Sequence, residues 1–89
     1  MNYQQYLLTK LAEEASEVSQ NALKACLFGY ESKDPREING QTNLEKLINE
    51  INDLMAVLYL LQIMEAPDRD WMERKAKKVN EYYEFIERE

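Results

Sequence analysis

Two pairs of acidic residues carry the clearest chemistry in this chain. Glu14 and Glu17 lie three residues apart, and Glu50 and Asp53 repeat that spacing further along. In a helix, residues at i and i+3 project from one side, so each pair would offer two oxygen ligands in one direction. If the two segments packed side by side, the pairs would form a cluster of four carboxylates. Hard divalent cations such as Mg²⁺ and Mn²⁺ prefer such ligands, and Mg²⁺ often completes its shell with substrate phosphates.

The acidic pairs therefore predict a metal-dependent site for a polyphosphate. In this hypothesis Glu14, Glu17, Glu50 and Asp53 are both the metal ligands and the catalytic residues. The chain contains no histidine, so acid–base work would be left to carboxylates and metal-bound water. Acid pairs at this spacing also arise by chance on solvated helix faces. Both pairs border apolar arcs on separate helices, however, which favours the metal site.

Lysine residues are the candidates for contacts with the phosphates. Lys24, Lys75 and Lys78 could supply positive charge to phosphates or to a leaving group. Lys24 and Asn21 share the edge of the first helix that carries the acids, which makes Asn21 a candidate substrate contact as well. The alternative is that Asn21 is an uncharged residue at the edge of the helix with no part in binding. Lys75 falls inside an apolar arc, where it could equally snorkel or pair with a carboxylate.

Three helices must position these residues, and the central one is marked most clearly. Apolar residues recur at three- and four-residue steps from Leu44 to Gln62, with Asn43 leading, which is the period of an amphipathic helix. Thr42 and Glu45 have the spacing of a capping box at its start. A first helix is predicted from about Asn2 to Phe28 by the same periodicity.

Breaks in the pattern separate the helices. Residues 29–41 contain both glycines and one of the two prolines, and predict a loop with turns at Asp34-Pro35 and Asn39-Gly40. A second break precedes the last helix, which is predicted to begin at Asp68 or Asp70 and to run to near the C-terminus. Asp70 and Glu73 have the spacing of a second capping box.

Composition limits the class of protein. The chain has 89 residues, of which 45% are hydrophobic, and few glycines and prolines. This favours one all-α domain, residues 1–89, built as an antiparallel bundle of about three helices and completed by oligomerisation, since so small a chain cannot cover all its apolar residues. The net charge of −6 argues against a nucleic-acid partner. No signal peptide or membrane-spanning run is evident, so we expect a cytoplasmic protein without a membrane partner.

The acidic motifs resemble those of a known enzyme family. Glu13-Glu14-Ala15-Ser16-Glu17 followed by Glu50-Ile51-Asn52-Asp53 is similar to the EExxE…ExxD signature of the MazG-like, all-α nucleoside triphosphate pyrophosphatases. The likeness covers most of the chain, including a lysine-bearing closing helix, ERKAKKVNEYYEF. Carried over residue by residue, the family's four ligands fall on Glu14, Glu17, Glu50 and Asp53. The segment between the motifs is longer than is usual in the family.

The resemblance implies a Mg²⁺-dependent pyrophosphohydrolase, with Mn²⁺ as a possible substitute. Such an enzyme would cleave a (d)NTP to the (d)NMP and pyrophosphate, and would work as a dimer or tetramer. Two alternatives stay open at this point. One is a related all-α dUTPase or phosphoribosyl-ATP pyrophosphohydrolase. The other is a non-catalytic, acidic helical protein that dimerises and binds a partner.

Overall fold

The computed structural model describes residues 1–87 and confirms the all-α prediction. Three helices follow one another along the chain: α1 (Tyr3–Phe28), α2 (Asn43–Leu61) and α3 (Arg69–Glu87). Within the described residues, the only β-type pairing is an isolated bridge between Lys33 and Thr42. No helix among them is both long and apolar enough to cross a membrane.

The first two helices begin where local side chains satisfy free backbone groups. Asn2 caps α1 in a capping box with Gln5. The predicted capping box of α2 is confirmed: Thr42 Oγ1 accepts a hydrogen bond from the Glu45 backbone at 3.1 Å, and Glu45 Oε1 accepts one from the Thr42 backbone at 3.4 Å. These bonds occupy N–H groups that a helix start otherwise leaves without partners.

Helices α1 and α2 pack against each other as an antiparallel hairpin. Ala25, late in α1, lies beside Leu47, early in α2, whereas Glu14, at mid-helix, meets Glu50 and Asp53 further along α2. The order of contacts thus runs in opposite directions along the two helices. Leu7 and Ala25, which are 4% and 7% exposed, are the only buried hydrophobic residues of the described chain, so one protomer has a very small core.

The segment 29–42 (termed the connecting loop) is ordered by its own hydrogen bonds. The predicted turn at Asp34-Pro35 is confirmed, because the Glu37 backbone N–H donates to the Asp34 carbonyl at 3.1 Å. Asn39 has a positive φ of 58°, a left-handed conformation that asparagine tolerates and that is typical of turns. The loop then returns to α2, where the Asn43 backbone N–H donates to the Ser32 carbonyl at 2.9 Å.

Helix α3 begins within the predicted range, but it differs from the prediction in its capping box and in its surroundings. Asp68 provides the cap, since its Oδ1 accepts from the Trp71 backbone N–H at 3.0 Å. The predicted Asp70/Glu73 capping box is wrong, because Asp70 already lies inside the helix. More important, α3 packs against neither α1 nor α2, and all of its residues are exposed. The expected third helix forms, but it does not join the hairpin within one chain.

Candidate metal centre

Three of the four predicted carboxylates come together between α1 and α2. Glu14 projects from α1, and Glu50 and Asp53 project from α2, one turn apart. Each residue places a carboxylate oxygen so that the three oxygens lie within 4.8 Å of one another. We call this set the carboxylate triad. Oxygens so arranged can bind a hard divalent cation from one side and leave its other positions for water or phosphate.

Two oxygens of the triad are buried and have no hydrogen-bond partner. They are Oε2 of Glu14 and Oε2 of Glu50. None of the salt bridges among residues 1–87 involves the triad or Glu17. A buried acceptor without a donor costs free energy, and so does a cluster of uncompensated negative charge. These carboxylate oxygens are therefore suitable ligands for a divalent cation, which would supply the missing positive charge.

The pKa values of two triad carboxyls reflect this crowding. Burial is the largest cause that raises the pKa of Glu14 above its ordinary value of 4.5, followed by the charges of Glu17, Asp53 and Glu13. For Glu50 the largest cause is the neighbouring Glu17 carboxyl, with which it can share a proton; burial and the surrounding charges raise the pKa further. Both carboxyls therefore hold protons more tightly than free glutamate does.

Glu17, the fourth predicted ligand, lies beside the triad without belonging to it. Its carboxyl is close enough to raise the pKa of both Glu14 and Glu50, but its oxygens fall outside the group of three. Asn21 sits one turn further along α1 and donates from Nδ2 to the Glu17 backbone carbonyl at 2.9 Å. The Asn21 amide nitrogen is thus engaged with its own helix.

The three predicted lysines are separated from the triad in one protomer. Lys75 and Lys78 lie on α3, where they border an open surface depression with Trp71 and Arg74. Since α3 does not touch the hairpin, these two lysines do not reach the triad of their own chain. Lys24 lines a different cavity, formed by α1, α2 and the connecting loop.

Sequence reasoning did not anticipate the other basic residues of that cavity. Lys33 and Arg36 come from the connecting loop, and Lys46 comes from the first turns of α2. One signal was present for Lys46, which precedes Glu50 by four residues and so lies on the same side of α2. Lys33 and Arg36 gave no periodic signal because they lie outside the helices.

Comparison with known proteins adds no family assignment. No protein-family model, no curated protein and no solved structure matches this chain. The resemblance to MazG-like pyrophosphatases consequently rests on the acidic motifs and their surroundings.

Proposed function

We propose that this protein is a Mg²⁺-dependent nucleotide pyrophosphohydrolase that cleaves a (d)NTP to the (d)NMP and pyrophosphate. The observation that carries the proposal is the carboxylate triad. It gathers oxygens from two helices within 4.8 Å and leaves two of its buried oxygens without a partner. A merely structural acidic group would be expected to have a nearby cation, and no salt bridge of residues 1–87 provides one.

The roles of the residues follow from their positions. Glu14, Glu50 and Asp53 would hold Mg²⁺, or Mn²⁺ in its place, and Glu17 offers a fourth carboxylate beside them. The chemistry that such an ion supplies when bound is neutralisation of phosphate charge and a lowered pKa of an attacking water. Their two-helix scaffold fixes the spacing of the ligands, so a substrate phosphate would meet a pre-arranged site.

Positive charge for the substrate would come from lysines. Lys24 extends from the same stripe of α1 as Glu14 and Glu17, at three- and four-residue steps through Asn21. Lys75 and Lys78 are available only if α3 of one chain packs on the hairpin of another. The proposal therefore includes a homo-oligomer, a dimer or tetramer, in which the α3 lysines complete the site.

The test is direct. The protein is incubated with each (d)NTP and Mg²⁺, and pyrophosphate and orthophosphate are assayed separately. We expect pyrophosphate and a nucleoside monophosphate in equal amounts, with no turnover after chelation by EDTA. Release of orthophosphate would assign a different bond to the reaction. An intact fold with no turnover of any nucleotide would overturn the enzyme proposal and favour the non-catalytic interaction protein.

A further inference from the structure

A basic cavity lies at the end of the helical hairpin, where the connecting loop covers α1 and α2. Its volume is about 330 Å³, within the range of small-molecule sites. The side chains that define it are those of Lys24, Phe28, Lys33, Asp34, Arg36 and Lys46. We call it the basic pocket.

Charge is unusually concentrated in the basic pocket. Four of the 11 Lys and Arg residues of a chain with net charge −6 line it. Two of these cations are partly neutralised. Arg36 Nη2 lies 2.7 Å from Asp34 Oδ2, and Lys46 Nζ lies 3.2 Å from Glu37 Oε1.

Lys24 and Lys33 are the two basic residues of the pocket whose charges are not paired with a carboxylate of the described chain. Among residues 1–87, neither takes part in a salt bridge. The hydrogen bonds from Arg36 lower the pKa of Asp34 well below its usual range, so Asp34 is ionised at neutral pH and pairs with Arg36 rather than with Lys33. Two uncompensated ammonium groups thus face one small cavity, which favours an anionic ligand with more than one charge.

The basic pocket and the carboxylate triad share one side of the hairpin. On α2, Lys46 precedes Glu50 by one helical turn and Asp53 by two. On α1, Lys24 follows Glu17 by two turns. A ligand seated with one end at the triad can therefore extend towards the basic pocket without leaving that side of the hairpin.

We propose that the basic pocket binds the terminal phosphates of a nucleoside triphosphate. This inference rests on the proposed function, since it assigns a binding site to the terminal phosphates of the same nucleotide substrate. The ligand contacts would be made by side chains. The backbone N–H groups of Asn43, Leu44 and Glu45 already donate to Ser32, Tyr30 and Thr42, so the start of α2 offers few free donors.

The first test uses the unaltered protein in EDTA, with inorganic tripolyphosphate as the probe. Lysines are acetylated with a water-soluble reagent, and labelling at each residue is followed by mass spectrometry. Tripolyphosphate should slow the labelling of Lys24 and Lys33 severalfold and leave Lys10 and Lys77, which lie outside the pocket, unchanged. Equal slowing at all four lysines, or none, would overturn the proposal.

A pair of double variants provides the second test. Lys24→Gln/Lys33→Gln removes the two uncompensated charges, and Lys10→Gln/Lys77→Gln removes two charges elsewhere. Each lost charge-assisted contact weakens binding substantially, so the first variant should raise the Kd for tripolyphosphate by about tenfold or more, and the second by much less. Equal losses would indicate nonspecific attraction and overturn the proposal. Lys24→Arg/Lys33→Arg should retain binding.

Two further outcomes separate this inference from the proposed enzyme. A nucleoside triphosphate should compete with tripolyphosphate in EDTA, where no hydrolysis is expected; failure to compete would overturn the assignment to a nucleotide. Competition without turnover after Mg²⁺ is added would keep the basic pocket and reject the pyrophosphohydrolase. Turnover by a protein that does not bind tripolyphosphate in the basic pocket would keep the pyrophosphohydrolase and reject the basic pocket.

Discussion

At the scale of single residues, Glu50 is the clearest test of catalysis against architecture. Glu50→Gln keeps the volume of the side chain but removes a negative ligand. Activity should fall by roughly a hundredfold or more, because charge stabilisation by a metal contributes several kcal/mol to such reactions. Without metal, the free energy of unfolding should hold or rise, since the change neutralises one member of a repelling cluster and adds a donor beside Glu17.

Glu84→Gln is the matched control for this variant. Glu84 and Glu87 have the same kind of spacing as the acidic pairs but lie on exposed α3, so steady-state kinetics should show parent activity. Urea unfolding of Glu50→Gln in EDTA supplies the stability measurement. A destabilised Glu50→Gln variant that keeps most of its activity would refute the role of Glu50 as a ligand and indicate a structural acid instead.

The raised pKa values of Glu14 and Glu50 predict how stability depends on pH. A carboxyl whose pKa is higher in the folded state than the ordinary 4.5 keeps its proton in the native protein after the unfolded chain has lost it. The native state then binds more protons, so stability falls as pH rises from about 4.5 through the raised values. In EDTA, the melting temperature should decline over this interval.

Two comparisons isolate this effect from the other carboxyls. The decline should be smaller in Glu50→Gln, which lacks one of the titrating groups. It should also be smaller in millimolar Mg²⁺, which stabilises the ionised form, than in NaCl of matched ionic strength. Parallel melting curves for parent and variant across this interval would contradict the assignment.

At the scale of elements, the capping box of α2 should contribute measurably to the free energy of unfolding. Thr42→Ala removes the acceptor that satisfies the Glu45 N–H, and loss of such a cap costs about 0.5–2 kcal/mol. Because the start of α2 carries Asn43 and Lys46, which line the basic pocket, fraying there would also loosen that pocket. Urea denaturation of the parent and the variant gives the difference.

Thr9→Ala is the control for the cap. Thr9 lies within α1 and its hydroxyl only donates back to the Gln5 carbonyl, a bond that does not favour the helix. Since alanine has the higher helix propensity, this variant should be neutral or slightly more stable. Equal losses for the two threonines would mean that the α2 cap contributes nothing specific.

Elements fixed by local signals could be predicted from the sequence. The start of α2 followed from Thr42 and Glu45. The spacing of acids on two amphipathic helices predicted a cluster of four carboxylates, of which the structure brings Glu14, Glu50 and Asp53 together. Asp68 and Asp70 both suit a cap for α3, and in the structure Asp68 is the residue that caps it. The separation of α3 from the hairpin depends on long-range packing, which helical periodicity does not report.

At the scale of the molecule, one chain leaves much of its apolar surface uncovered. Its radius of gyration is 16.5 Å, against about 12 Å for a compact domain of this length. Trp71, Val79 and Tyr82 on α3 are each more than half exposed. We therefore predict self-association through α3, and expect sedimentation at micromolar concentration to give at least a dimer mass. A monomer at that concentration would contradict the prediction.

Val79→Asp should weaken this association by placing a charge in the apolar arc of α3. Lys77→Gln changes the net charge by the same amount, but Lys77 lies nearly opposite Val79 on the helix. The apparent dimer dissociation constant should rise markedly for Val79→Asp and little for Lys77→Gln. If both variants associate like the parent, α3 does not form the interface.

Complementation between variants tests whether the triad and the α3 lysines of one site come from different chains. Lys75 and Lys78 are remote from the triad of their own protomer, so we predict that α3 serves the hairpin of a partner. Glu50→Gln and Lys75→Gln/Lys78→Gln should each be inactive alone. Refolded together in equal amounts, they should form mixed dimers with one fully intact site, and recover about one quarter of the parent activity. If each α3 served its own hairpin, both sites of a mixed dimer would be defective. Mixed dimers without recovered activity would therefore exclude the exchange of lysines between chains.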